Sequence, residues 1–123
     1  MSFTFDHIHL RTSDIAGTVK FYQANLGADG IDTSRPDGTI GLHIGGTMVL
    51  ISPIQQGQAV DSSIAERTFD HFAVTVPNID ETAARMKANG VAFTREPVTL
   101  RPGLRIAFIM APDNVKIEII QRG

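Results

Sequence analysis

The chain has 123 residues, 42% of them hydrophobic and 20% charged, with a formal net charge of −2 and no cysteine. That is enough for one domain with a hydrophobic core and too little for two ordinary ones, and the near-neutral balance leaves no basic footprint for nucleic acid. No apolar run approaches the roughly 20 residues of a membrane helix, and without thiols any bound metal must be held by His, Asp or Glu.

The opening residues MSFTFDHIHL carry neither the basic nor the apolar region of a secretory signal, so the cytoplasm is the expected compartment. Residues 3–12 alternate as a strand, with Ile8 and Leu10 on one face and His7, His9 and Arg11 on the other. Asp14 is placed to cap a following helix in which Ile15, Val19, Tyr22 and Leu26 recur at helical spacing, and Gly27 supplies its left-handed stop. A weak strand near Ile31 comes next. A turn at RPDG, a strand over 39–44, a Gly45-Gly46 turn and a strand over 47–52 complete the first half. Residues 53–68, PIQQGQAVDSSIAERT, lose all periodicity and read as a connector.

The order then repeats. FDHFAVTV (69–76) is a strand, and PNIDETAARMKANG is a helix capped by Asn78, with Ile79, Ala83 and Met86 inward and Gly90 as stop. Short strands are expected over 91–95, 104–110 and 115–121, separated by turns at 101–103 and at APDN. Phe5, Asp6, His7, Ile15, Thr18 and Asn25 recur 64 positions later as Phe69, Asp70, His71, Ile79, Thr82 and Asn89. The expected architecture is therefore α+β: two βαβββ modules, about 3–52 and 69–121, in one domain, each with a curved mixed sheet and a helix on its outer face.

A helix must cover one face of each sheet, and it takes the apolar one. His7, His9, His71 and His43 are then left on the concave side, together with Lys116 and Glu118 of the last strand. Three of these, His7, His71 and Glu118, are expected to meet in one groove. Two imidazoles and a carboxylate suit a first-row divalent ion, Fe(II), Mn(II), Zn(II), Ni(II) or Co(II). Rigid strands would leave open positions for a small substrate with two neighbouring oxygens. His9, about 7 Å along the strand from His7, and His43 are the candidate proton carriers, because imidazole titrates near neutral pH. Arg105 is a candidate for holding an anionic substrate.

The stretches DHIHLRTSDIAGTVKFYQANLGA, DHFAVTVPNIDETAARMKANGVAFTREP and IAFIMAPDNVKIEII resemble the vicinal oxygen chelate superfamily. It includes glyoxalase I, bleomycin-resistance proteins, fosfomycin-resistance enzymes, methylmalonyl-CoA epimerase and extradiol dioxygenases. The resemblance covers nearly the whole chain and specifies fold more than reaction. It implies metal ligands at His7, His71 and Glu118, and a homodimer in which His7 of one subunit meets His71 and Glu118 of the other.

The resemblance also marks departures. Leu50 stands where glyoxalase I has a glutamate that serves as ligand and base, and where methylmalonyl-CoA epimerases have glutamine; Leu50 is counted with Arg105 as substrate-facing. His9 replaces the threonine of fosfomycin-modifying enzymes, and Phe108 occupies the strand that carries a tyrosine acid in extradiol dioxygenases. The implied activity is that of a metal-dependent lyase or isomerase, or of a ring-cleaving dioxygenase if the metal is iron. The alternative is a metal-free, bleomycin-resistance-like protein that binds a small planar compound.

Overall fold

The computed structural model describes residues 2–54 and 69–123. They form two compact units, one within residues 1–58 and one within 59–123. In the first, β1 (His7–Thr12), α1 (Ile15–Leu26), β2 (Asp29–Asp32), β3 (Ile40–Ile44) and β4 (Thr47–Pro53) follow in order. The second repeats that order with β5 (Phe72–Thr75), α2 (Ile79–Ala88), β6 (Ala92–Arg101), β7 (Leu104–Ala111) and β8 (Val115–Arg122). Each unit carries one four-stranded mixed sheet, β1-β4-β3-β2 and β5-β8-β7-β6. The first and last strands of each unit run parallel, and all other neighbours are antiparallel. This is the expected α+β arrangement. From residue 55 on, the connector expected over 53–68 lies outside the described residues, while Pro53 belongs to β4.

Local chemistry sets the helix ends. Asp14 is extended and its Oδ1 accepts the Gly17 N–H at 3.0 Å; Gly27 closes α1 at φ 66°. Asn78 caps α2 in the same way, accepting from Glu81 N–H at 3.1 Å. Ile79, Ala83 and Met86 form the buried stripe of α2, as their spacing requires. In α1 the fully buried positions are instead Thr18, Tyr22 and Asn25, with Ile15, Val19 and Leu26 only half-buried beside them. The two polar residues can occupy the interior because each finds a partner. Thr18 Oγ1 lies 2.6 Å from Thr12 Oγ1, and Asn25 Nδ2 donates to Phe21 O at 3.0 Å. Leu42, Val49 and Ile51 line the core of the first unit, and Ile109, Ile117 and Ile119 that of the second.

Three boundaries differ from expectation for identifiable reasons. β1 and β5 begin at His7 and Phe72 rather than at residues 3 and 69, since their parallel ladders with β4 and β8 open at the pairs His7–Met48 and Phe72–Ile117. Phe3 and Phe5, upstream of β1, are exposed. β6 runs on to Arg101 through Pro97. It is an edge strand, where a missing N–H costs no ladder bond, and its register shifts between Arg95 and Val98. No helix among the described residues is long and apolar enough to cross a membrane.

Candidate functional site

The pleat sorts each sheet into two faces. In the first unit His7 stands opposite Met48, which stands opposite His43; one step along, His9, Leu50 and Gly41 form the next row. His7, His9, His43 and Leu50 therefore share the face turned away from the core residues Val49, Ile51 and Leu42. His9 Nε2 is 2.7 Å from Ser52 Oγ, and the two line a pocket of about 260 Å³ with Arg11, Asp37, Thr39 and Pro53. His43 lies two strands from His7, on the order of 10 Å at ordinary strand spacing. Its ring covers Gly30, where a Cβ would fall 2.9 Å from Nδ1. Leu50 and the Arg35 guanidinium flank Gly41 on the same face.

In the second unit His71, at the foot of β5, meets Glu118 of β8: Nε2 and Oε1 are 3.0 Å apart. Glu118 is mostly buried, with its side chain 16% exposed. The other imidazole nitrogen, Nδ1, lies 2.6 Å from Asp70 Oδ2, which also accepts from Lys116 Nζ at 3.0 Å. The N–H of His71 first, and the Lys116 ammonium second, hold the Asp70 carboxyl below the usual carboxylate range. Phe108 packs its ring edge-on to His71 at 5.0 Å.

This geometry tests the donor set. A carboxylate can only accept, so a neutral ring donates either to Asp70 from Nδ1 or to Glu118 from Nε2; the shorter contact, to Asp70, favours the proton on Nδ1 and a lone pair at Nε2. A ring so disposed presents that lone pair 3.0 Å from a second carboxylate, a spacing that a cation between the two would satisfy. Ligands bound at about 2.1 Å and at right angles on one ion are also about 3.0 Å apart. His71 and Glu118 therefore fit as two adjacent ligands of a divalent ion. Among the described residues of either unit, no third His, Asp or Glu completes a group able to hold an ion.

Arg105 is placed differently from its expected role. It stands opposite Gln121, whose Oε1 accepts the Ile79 N–H at the start of α2, and so shares the helix side of the sheet. Its guanidinium pairs with Asp80 Oδ2 at 2.6 Å. The pleat turns it away from Glu118.

Sequence reasoning passed over three contributors. Asp6 and Asp70 were visible only as part of a repeated Asp-His dipeptide. Both bond the Nδ1 of the histidine that follows, Asp6 at 2.7 Å and Asp70 at 2.6 Å. The repeat of the dipeptide was the available signal. Ser52, the partner of His9, had no signal of its own, since 43 residues separate the pair.

Two βαβββ units, with a histidine beside the first strand of each and a carboxylate on the last strand of the second, define a small α+β protein of repeated modules. The chain belongs to the Glyoxalase/Bleomycin resistance protein/Dioxygenase superfamily, whose family model matches residues 4–119. It is 31% identical over 121 residues to the lactoylglutathione lyase of Salmonella typhimurium, covering 94% of this chain and 90% of that protein.

Among solved structures, the fosfomycin resistance protein FosX of Listeria monocytogenes superposes with a TM-score of 0.79 at 24% identity. The match covers 100% of this chain and 94% of the other. A variant of that Listeria protein, at TM-score 0.75 and 24% identity over 97% of this chain and 90% of its own, is complexed with Mn(II) and 1S,2S-dihydroxypropylphosphonic acid. A glyoxalase I variant from Zea mays gives 0.76 at 25% identity, over 97% of this chain and 44% of that one.

Proposed function

We propose that this protein is a metal-dependent enzyme acting on a small substrate that chelates one divalent ion through two neighbouring oxygens. The observation that carries the reading is the 3.0 Å approach of His71 Nε2 to Glu118 Oε1, with Asp70 on the opposite ring nitrogen. His7 is the proposed third ligand, contributed by the same chain or by a second copy in a homodimer. It too has a carboxylate, Asp6, on Nδ1. A bound divalent ion would polarise the substrate oxygens and lower the cost of an enolate or alkoxide.

Isomerase or lyase chemistry asks the protein for one proton carrier. His9 fills that role better than His43, because it lies two residues from His7 on the same face and is braced by Ser52. Leu50 provides an apolar wall and can neither ligate nor take a proton. That distinguishes the proposed reaction from the one for which the Salmonella relative is named. Phe108, edge-on to His71, offers no phenol to a ring-cleaving dioxygenase.

Calorimetric titration of Mn(II) and elemental analysis test the reading. Wild type should bind one ion per chain, and His71→Ala or Glu118→Gln should lose at least 100-fold in affinity. Mixed His7→Ala and Glu118→Ala chains should regain one intact site per heterodimer if the site is shared between subunits. A wild type that takes up no divalent ion yet binds a planar aromatic compound would establish the sequestering alternative instead.

A further inference from the structure

We infer that Asp70 is a positioning residue for His71, holding its imidazole in the tautomer that turns a bare Nε2 toward the ion, and that this makes the second unit the better-prepared half of the metal site. The inference rests on the metal reading above and adds the group that prepares the ligand. A free neutral imidazole exchanges its proton between two nitrogens, and only the deprotonated one can ligate. Asp70 Oδ2, 2.6 Å from Nδ1 and closer than Glu118 Oε1 is to Nε2, biases the ring toward the proton on Nδ1. A carboxylate behind a ligating histidine also raises the basicity of the ligating nitrogen.

Asp70 is itself held. Lys116 Nζ sits 3.0 Å from the same Oδ2 and 5.5 Å over the Phe108 ring. Phe108 in turn meets the edge of the His71 ring at 5.0 Å. The imidazole is thus constrained by a carboxylate at one nitrogen, by Glu118 at the other and by an aromatic ring beside it.

The first unit lacks most of this support. His7 has Asp6 at 2.7 Å, but Asp6, like Asp70 largely exposed, has no cation partner among the described residues. The residue opposite His7 is Met48. In the second unit, one step before the Phe72–Ile117 pair, that place is taken by Lys116. The same Asp-His dipeptide is therefore braced in one unit and unbraced in the other.

The test compares metal-free wild type with Asp70→Ala, Asp70→Glu, Asp6→Ala and Lys116→Met. Mn(II) affinity is read by calorimetry, the His71 tautomer by ring 15N shifts without metal, and folding by thermal melting. Asp70→Ala should weaken Mn(II) binding about 10- to 100-fold and release His71 from the Nδ1–H form, with little change in melting. Asp70→Glu should recover most of both properties. Asp6→Ala and Lys116→Met should each lose less than Asp70→Ala. An Asp70→Ala protein with wild-type affinity and an unchanged tautomer overturns the positioning role. An Asp6→Ala loss equal to or larger than that of Asp70→Ala overturns the asymmetry. A wild type that binds no Mn(II) overturns the metal reading and this inference with it.

Discussion

Leu50 and Glu118 hold the same register position in their respective sheets. Leu50 stands between His9 of β1 and Gly41 of β3, and Glu118 between Ala73 of β5 and Phe108 of β7. The repeat thus supplies a carboxylate from one last strand and an isobutyl group from the other. Glutamate at 118 is mostly buried with a histidine beside it; leucine at 50 borders Gly41 and the Arg35 guanidinium.

On the proposed metal site, Leu50→Glu should add a further carboxylate ligand, with the Arg35 guanidinium beside it to offset the new charge. We expect Mn(II) affinity to rise, because carboxylate oxygen is a favoured ligand of Mn(II). Wild type should show no lactoylglutathione lyase turnover. Calorimetry and a hemithioacetal assay decide it, and turnover by wild type would show that a leucine at this position does not preclude the reaction.

The Thr12–Thr18 contact ties β1 to α1 inside the core. Thr12 Oγ1 lies 2.6 Å from Thr18 Oγ1 and accepts the Asp14 N–H at 3.0 Å, so it also supports the start of α1. Thr18→Val should cost about 1 kcal/mol and Thr12→Val about 2 kcal/mol, since the latter leaves more groups without partners. Urea denaturation measures both. Equal midpoints for wild type and Thr12→Val would remove the contact from the list of stabilising features.

Asp113 and Asn114 both adopt left-handed backbone, φ 60° and 61°, in the turn that launches β8 and its Glu118. Asn114→Gly should be neutral or stabilise by roughly 0.5 kcal/mol, whereas Asn114→Val should destabilise by about 1–2 kcal/mol. Thermal melting in parallel gives the order. A valine variant as stable as wild type would mean that the turn relaxes elsewhere.

Asp32 has a depressed carboxyl pKa, held down by the Ser34 hydroxyl at 2.6 Å, then by the Ser34 N–H at 2.8 Å, with a smaller contribution from the Arg35 charge. The folded carboxyl is harder to protonate than an unfolded one. Its contribution to stability is therefore fully present above the unfolded aspartate value and fades as pH falls through the lowered folded value. In Ser34→Ala, the Asp32 midpoint followed by carboxyl 13C shifts should move up toward ordinary aspartate. An unchanged midpoint would assign the shift to other groups.

The chain order determined much of the molecule by itself. Alternation at 7–12 and 115–121 placed the strand faces correctly because side-chain direction in a strand depends only on the parity of position. Asp14, Gly27 and Asn78 announced the helix ends because capping is satisfied within a few residues. Only the tertiary structure decided what depended on a distant partner. Thr18 and Asn25 went inward where apolar spacing favoured Ile15 and Leu26, because Thr12 and Phe21 O satisfy them. Arg105 alternates like a groove residue, yet its face is set by Gln121 and α2, and its charge by Asp80. The pairing of His71 with Glu118 was readable from parity. The Asp70 and Lys116 that brace it were not, because a hydrogen bond needs angles and distances that residue spacing along a chain does not encode.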